Sequence, residues 1–268
     1  MQKITLGKKT LIASALMLAM GSSMAATLKI GVASNFEIPL RAIVDAYKFD
    51  FSSSDTITVT GGATGTLKAA IISGGSTNGP YDLFLAANQA APVDLVNNYS
   101  SLVEGSSFTY ATGYLTLWSN TSGVNVSSGL PSNFYSLYGQ VAIADHITAP
   151  YGAAAWTVLQ ASPHNITSLP DSKVAEYTNI DTTFQAVNTP GKQIGFVAKS
   201  QVCQNLGAGE TFSGTSHYVY TGSPIVQAGV AIERTSRSGA DDTLLSDFIN
   251  YLRTNSNAQA IIQQYCYS

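Results

Sequence analysis

Charge is what this chain has least of. Only 11% of its 268 residues are Asp, Glu, Lys or Arg, and the basic ones are fewer, 13 against 16. A surface that neutralises phosphates needs clustered Lys and Arg, so nucleic acid is not expected as a partner. Histidine is rarer still: His146, His164 and His217 stand far apart, and neither of the two cysteines has a partner at metal-ligand spacing. No metal centre is expected. The Gly-x-Ser-x-Gly turn of a serine nucleophile is missing, and Asp145 and His146 are chain neighbours at a strand end, where side chains diverge. A secreted hydrolase is therefore the weaker reading, and the chain is expected not to be an enzyme. Beyond Ala25 no apolar run is long enough to cross a bilayer.

The segment from Met1 to Ala25 has a pattern of its own. Lys3, Lys8 and Lys9 precede an uncharged apolar stretch from Leu11 to Met20 (LIASALMLAM), and Ser23 and Ala25 then supply small side chains where a signal peptidase reads them. This is the order of a cleavable secretory signal, with an apolar stretch too short to anchor. Removing three lysines and no acid leaves ten basic residues against 16 acidic ones, so the net charge moves from −3 to −6. In an oxidising compartment the even count of Cys203 and Cys266 points to one disulfide, the alternative being two buried thiols.

Along residues 26–268, short apolar or β-branched runs alternate with segments of helical period. Residues 28–33 (LKIGVA) read as a buried strand, and Leu40, Ile43, Val44 and Tyr47 recur at i, i+3, i+4 and i+7, one face of a helix. A strand at 57–60 runs into Gly61-Gly62-Ala63-Thr64-Gly65 and a helix over 66–73. Further strands are expected at 82–86, 114–119, 141–144, 194–197 and 225–232, with helices at 92–97, 151–159, 243–253 and 258–265. Residues 207–216 read as a surface loop, and Tyr110, Tyr135 and Tyr138 fall in loop-like stretches. The alternation implies βαβ units with a mainly parallel sheet, an α/β protein.

Two strand-to-helix junctions place hydroxyls beside free backbone N–H groups: Ser34-Asn35 after the first strand and Thr64-Gly65 after the second. Unpaired N–H donors and the helix dipole make such termini favourable for anions. The plainer reading is that Ser34 and Thr64 are N-caps.

The segments LKIGVASNF, GGATGTLKAAIISGG, YDLFLAANQ, VAIADHITAPYGAAAW, KQIGFVAKSQV and DFINYLRTNSNAQAIIQQYCY follow one another in this order. Together they resemble the periplasmic molybdate-binding proteins of ABC transporters over essentially the whole chain after the signal. The resemblance implies the type II periplasmic-binding-protein fold: two α/β lobes with mainly parallel sheets and a ligand cleft at the hinge. The first lobe would comprise 26–112 together with 223–268, and the second would comprise 113–222. It implies a tetrahedral oxyanion, molybdate or tungstate, bound without a cofactor. The hydroxyls of Ser34 and Thr64 and the backbone N–H groups of Tyr151 and Ile180 would hold it, with Asn35 and Gly65 adjoining. An inner-membrane ABC permease is the implied partner of a monomer free in the periplasm. The same fold could serve another small anion (phosphate, phosphonate, sulfate or an organic acid) or a sensor. Two positions depart from the family: Ala198 stands where it has a tyrosine, with the Tyr151 phenol as the candidate replacement. Asp181 lies beside a backbone donor, where it is expected to cap its own helix.

Overall fold

The computed structural model describes residues 25–268, so the expected signal segment, Met1 to Ala25, lies outside it except for Ala25. Strand β1 (Thr27–Ala33) is buried along its second half on both faces, as its apolar run requires of a central strand. It pairs in parallel with β2 (Thr56–Gly62) and β3 (Leu83–Ala86). Strands β12 (Ile225–Ile232) and β4 (Val103–Gly113) complete a five-stranded sheet in the order β2-β1-β3-β12-β4, both joined antiparallel.

Helix α1 (Glu37–Phe51) buries Leu40, Ile43, Val44 and Tyr47, the set the sequence spacing predicts. Helices α2 (Thr64–Asn78) and α3 (Ala90–Asn98) follow the next two strands. Two C-terminal helices, α8 (Gly239–Thr254) and α9 (Ser256–Gln264), close the layer, with Phe248 and Leu252 fully buried against Leu40 and Ile43. Asp82, the one carboxylate buried in this sheet, receives the Lys29 N–H at 2.7 Å and lies 3.0 Å from Arg234 Nη1. It ties β1 to the segment after β12.

The second sheet repeats the scheme in the order β11-β5-β8-β6-β7. Its strands are β5 (Leu115–Ser119), β6 (Val141–Ala144), β7 (Val174–Tyr177), β8 (Ile194–Ala198) and β11 (Ser216–Val219). Helices α4 (Phe134–Tyr138), α5 (Pro150–Gln160), α6 (Ile180–Asn188) and α7 (Lys199–Val202) surround it. In each sheet three adjacent strands run parallel, the next one (β12 or β5) runs against them, and the edge strand (β4 or β11) runs against that one and so with the three. Each crossing leads into a reversed strand: the chain passes from β4 into β5 and from β11 into β12. β4 ends at Gly113 and β5 begins at Leu115, while β12 starts at Ile225, paired with Gly113. Both crossings therefore lie side by side and form a hinge.

Three local expectations are corrected. Residues 207–216 are not simply a loop: β9 (Cys203–Asn205) and β10 (Glu210–Phe212) make a hairpin turned by Gly207 and Gly209, both at positive φ. Its strands are three residues long, too short for alternation to register. Tyr110 is 6% exposed on β4, a strand whose outer face (Glu104, Ser106, Thr109) dilutes the apolar signal. Tyr135 and Tyr138 belong to α4, a single short helix.

Helix α8 carries a pH-dependent contribution. Ser238 caps it, and Asp241 answers from the first turn, accepting from the N–H and hydroxyl groups of both Ser238 and Thr27. Burial alone would raise the Asp241 carboxyl, but these donors outweigh it and bring its pKa down to about 2. A lowered folded-state value stabilises the native protein above the ordinary carboxylate range, and this stability is lost as pH falls from about 4 towards 2. Asp241→Asn is expected to flatten that acid limb in urea melts and to leave the slope near neutral pH unchanged.

Candidate functional site

Where the two lobes meet, a cavity of about 10 Å³, the room of a single water, lies between the ends of β1, β2 and β3 and the starts of α5 and α6. Ser34, Asn35, Thr64, Tyr151 and Ile180 all line it, with Ala33, Ala63 and Ala87 filling the gaps. Residues far apart in the sequence thus share one small space.

Each contributes a donor for a local reason. Thr64 opens α2 and Ser34 opens a 3-10 turn (Ser34–Phe36), but neither hydroxyl caps its helix; the N-cap positions are Ala63 and Ala33. The N-cap reading of these hydroxyls is thereby set aside. Thr64 is 3% exposed, and its Oγ1 accepts the Ala87 N–H at 3.0 Å. With that side of the oxygen occupied, the Thr64 proton is left to be donated elsewhere. Pro150 at the start of α5 has no N–H, so Tyr151 supplies that helix's first donor. Asn179 caps α6, its Oδ1 accepting from Asp181 and Thr182, both at 2.9 Å. The Ile180 N–H at the same terminus has no partner among the described residues.

Asp181 is therefore not the cap of its helix. It lines a separate groove of about 540 Å³ on the other side of Ser34 and Asn35, together with Ile38, Phe184, Phe212 and Tyr265. That larger groove sets a carboxylate and aromatic rings among polar side chains such as Ser200 and Gln201, whereas only the small cavity joins Ser34 and Asn35 to Thr64, Tyr151 and Ile180. The small cavity is the candidate site.

Gly65 has a different place. Its N–H donates across the cleft to the Thr148 carbonyl at 2.7 Å, and it borders a surface pocket with Lys68 and Asp94 instead of the cavity. A Cβ here would meet the Thr148 backbone and side chain at 3.0–3.1 Å. Glycine thus permits the close approach of the lobes. Gly65→Val is expected to wedge the cleft and weaken ligand binding by about tenfold or more, a cost of one overpacked contact.

The Tyr151 phenol leads away towards the hinge, where its oxygen accepts from Gln227 Nε2 at 3.2 Å. Ala198 lies buried at the end of β8 and does not line the cavity. Around this hinge Tyr110, Tyr151 and Tyr267 are all buried, and desolvation pushes each phenol pKa up, that of Tyr267 to about 12. They remain neutral and bring no negative charge to the site. Gln227, Tyr267 and the Ala87 N–H were not singled out by sequence reasoning. The available signal for Gln227 was a lone amide inside the apolar run IVQAGVAI.

Cys203 and Cys266 form a disulfide with a Cα–Cα distance of 6.0 Å. Cys203 follows β8 and α7 of the second lobe, and Cys266 follows α9 of the first, so the bridge crosses between lobes. Next to it, Ser200 Oγ and the Tyr267 hydroxyl both donate to the Asn35 carbonyl, at 3.2 and 2.9 Å.

Two α/β lobes joined by paired strands, with a donor-lined cavity between them, define a solute-binding protein of the type II periplasmic-binding-protein fold. The model of the bacterial extracellular solute-binding proteins matches residues 28–268, and the chain belongs to that family. It is 32% identical to the molybdate-binding protein ModA of Azotobacter vinelandii over 92% of this chain and 91% of that one. With the molybdate-binding protein ModA of Rhodobacter capsulatus the identity is 30%, over 95% and 94% of the two chains. The solved periplasmic molybdate-binding protein of A. vinelandii superposes with a TM-score of 0.76 at 24% identity, covering 90% of this chain and 98% of that structure.

Proposed function

We propose that this protein captures a tetrahedral oxyanion, molybdate or tungstate, between its lobes, where the water-sized cavity widens to seat the anion among the same donors, and hands it to an inner-membrane ABC permease. The observation that carries the proposal is a cavity lined by hydroxyl and N–H donors, with no Lys or Arg in its wall. A fully deprotonated dianion only accepts hydrogen bonds, so the Ser34 and Thr64 hydroxyls and the Tyr151 and Ile180 N–H groups suit it. The starts of α5 and α6 add dipoles of the favourable sign, each worth about 0.3–1 kcal/mol and up to about 2 when partly buried. Relatives at 30–32% identity that are named molybdate-binding favour this anion over others. Sulfate has the same charge and shape with shorter bonds, so a closed cavity separates the two by fit.

The lobes close over the anion and exclude water, which strengthens every hydrogen bond made inside. The leader ending at Ala25 would deliver the protein, as a monomer, to the periplasm. Titration calorimetry of residues 26–268 with molybdate, tungstate, sulfate and phosphate tests the reading. Heat with molybdate and tungstate, and weaker or no heat with sulfate and phosphate, is expected. A clear preference for phosphate or sulfate would reassign the ligand.

A further inference from the structure

Below the cavity, Asn35 leads into a closed cluster of polar side chains at the hinge. Asn35, Tyr110, Tyr151, Gln227 and Tyr267 are each at most 6% exposed. Gln227 enters the cluster from β12 beside a register shift in its pairing with β4, an irregularity of the kind that re-aims a side chain. Asn35 Nδ2 donates to Gln227 Oε1 at 2.9 Å and to the Tyr267 hydroxyl at 2.8 Å, while Gln227 Nε2 donates to the Tyr151 hydroxyl. The Tyr110 hydroxyl is 2.9 Å from Gln227 Oε1 and 3.0 Å from the Ala86 carbonyl.

In this direction the donors and acceptors do not balance. Asn35 Oδ1 is buried without a donor. Tyr110 has one proton for two acceptors, and the Tyr151 proton has no acceptor among the described residues. Amide oxygen and nitrogen are nearly identical in shape, so both amides can turn over and exchange these two atoms without disturbing their neighbours. Gln227 Nε2 then donates to Asn35 Oδ1 and to Tyr110, Tyr110 donates to Ala86, and Tyr151 donates to Gln227 Oε1. One crowded pair results, Tyr267 with a single proton between Asn35 Oδ1 and the Asn35 carbonyl, and that carbonyl keeps its Ser200 donor. Three defects are exchanged for two: the crowded Tyr267 pair, and an Asn35 Nδ2 that takes the position of the orphaned oxygen and has no protein acceptor there.

We infer that Gln227 is a positioning residue: it sets the direction of this network and so turns the Asn35 amide N–H towards the bound anion. The inference rests on the anion-binding reading above. Its consequence is selectivity. With Asn35 as a donor, its side chain gives the proton of an oxyanion such as hydrogen phosphate nothing to bond to, and only a hydroxyl oxygen such as that of Ser34 could accept it. With the direction reversed, Asn35 Oδ1 would face the ligand, repelling molybdate and welcoming the proton of hydrogen phosphate. Both anions carry charge −2 at pH 8, so charge alone cannot separate them.

Gln227→Glu tests this. A carboxylate at this position is surrounded by the Asn35 amide and three phenols, which keep it ionised and acceptor-only. Asn35 must then give it Nδ2 and present Oδ1 to the cavity. The added charge weakens both dianions alike, but the ratio of molybdate to phosphate affinity, measured by calorimetry at pH 8, should fall roughly tenfold or more, the effect of one hydrogen bond to a charged group. An equal loss for both anions would overturn the inference. Failure of the wild type to bind molybdate would instead sink the functional reading. Should Gln227→Glu not fold, the wild type still decides: its Asn35 side-chain amide protons, followed by ¹⁵N NMR, should move downfield on adding molybdate. An unmoved pair would contradict the proposal.

Discussion

Thr64→Val is expected to lower molybdate affinity by about tenfold to a hundredfold, the range for a hydrogen bond to a charged acceptor. Valine matches the shape of threonine, so the 3% exposed position loses its oxygen without gaining a cavity. That oxygen has two duties. It accepts the Ala87 N–H at 3.0 Å, and its proton is the only part left for the ligand. The substitution therefore also leaves a buried N–H unpaired, destabilising the ligand-free protein by about 1–3 kcal/mol. Thr64→Ser retains the hydroxyl and should restore most of both. Calorimetry and thermal melts of the three proteins separate the effects, and a Thr64→Val protein that binds like the wild type would remove Thr64 from the site. Ser34→Ala lacks the second consequence, because the Ser34 hydroxyl has no hydrogen-bond partner among the described residues.

Breaking the disulfide has the largest expected effect on stability. Cys203 and Cys266 are 63 residues apart in sequence. A cross-link closing a loop of that length stabilises by about 4 kcal/mol in the chain-entropy model. For a chain of this size, the loss corresponds to a melting temperature lower by roughly 10 °C. Replacing both cysteines by serine, or reducing the wild type, should give the same shift. The bridge also pins the C-terminal tail against the hinge, where the Ser268 N–H and carbonyl pair with Thr112 on β4. Its loss should loosen the Tyr267 bond to the Asn35 carbonyl and weaken anion binding along with the fold. A melting temperature within about 2 °C of the wild type would show that the tail is held by packing alone.

The sequence carried the fold further than the site. The spacing of Leu40, Ile43, Val44 and Tyr47 names the buried face of α1, and the apolar runs at β1, β3 and β8 mark strands covered on both faces. β4 escaped because a hinge strand with one wet face and bulged pairing has neither clean alternation nor an apolar run. At the site, Ser34, Thr64, Tyr151 and Ile180 were legible through the resemblance, and they meet at one cavity. The role of Gly65 was not, since close approach to Thr148 depends on a lobe closure that no local pattern encodes. Asp181 points the same way: a first-turn acid reads as a cap, yet Asn179, just ahead of it, has the side chain that reaches the free N–H groups. Long-range partners such as Gln227 with Asn35, 192 positions apart, are set by topology.

The most direct test of the central claim is anomalous diffraction at the molybdenum edge from crystals of residues 26–268 grown with molybdate. One molybdenum peak is expected in the cavity, with oxygens in hydrogen-bond reach of the Ser34 and Thr64 hydroxyls and the Tyr151 and Ile180 N–H groups. No peak, or a peak confined to the groove that holds Asp181 and Phe184, would contradict it.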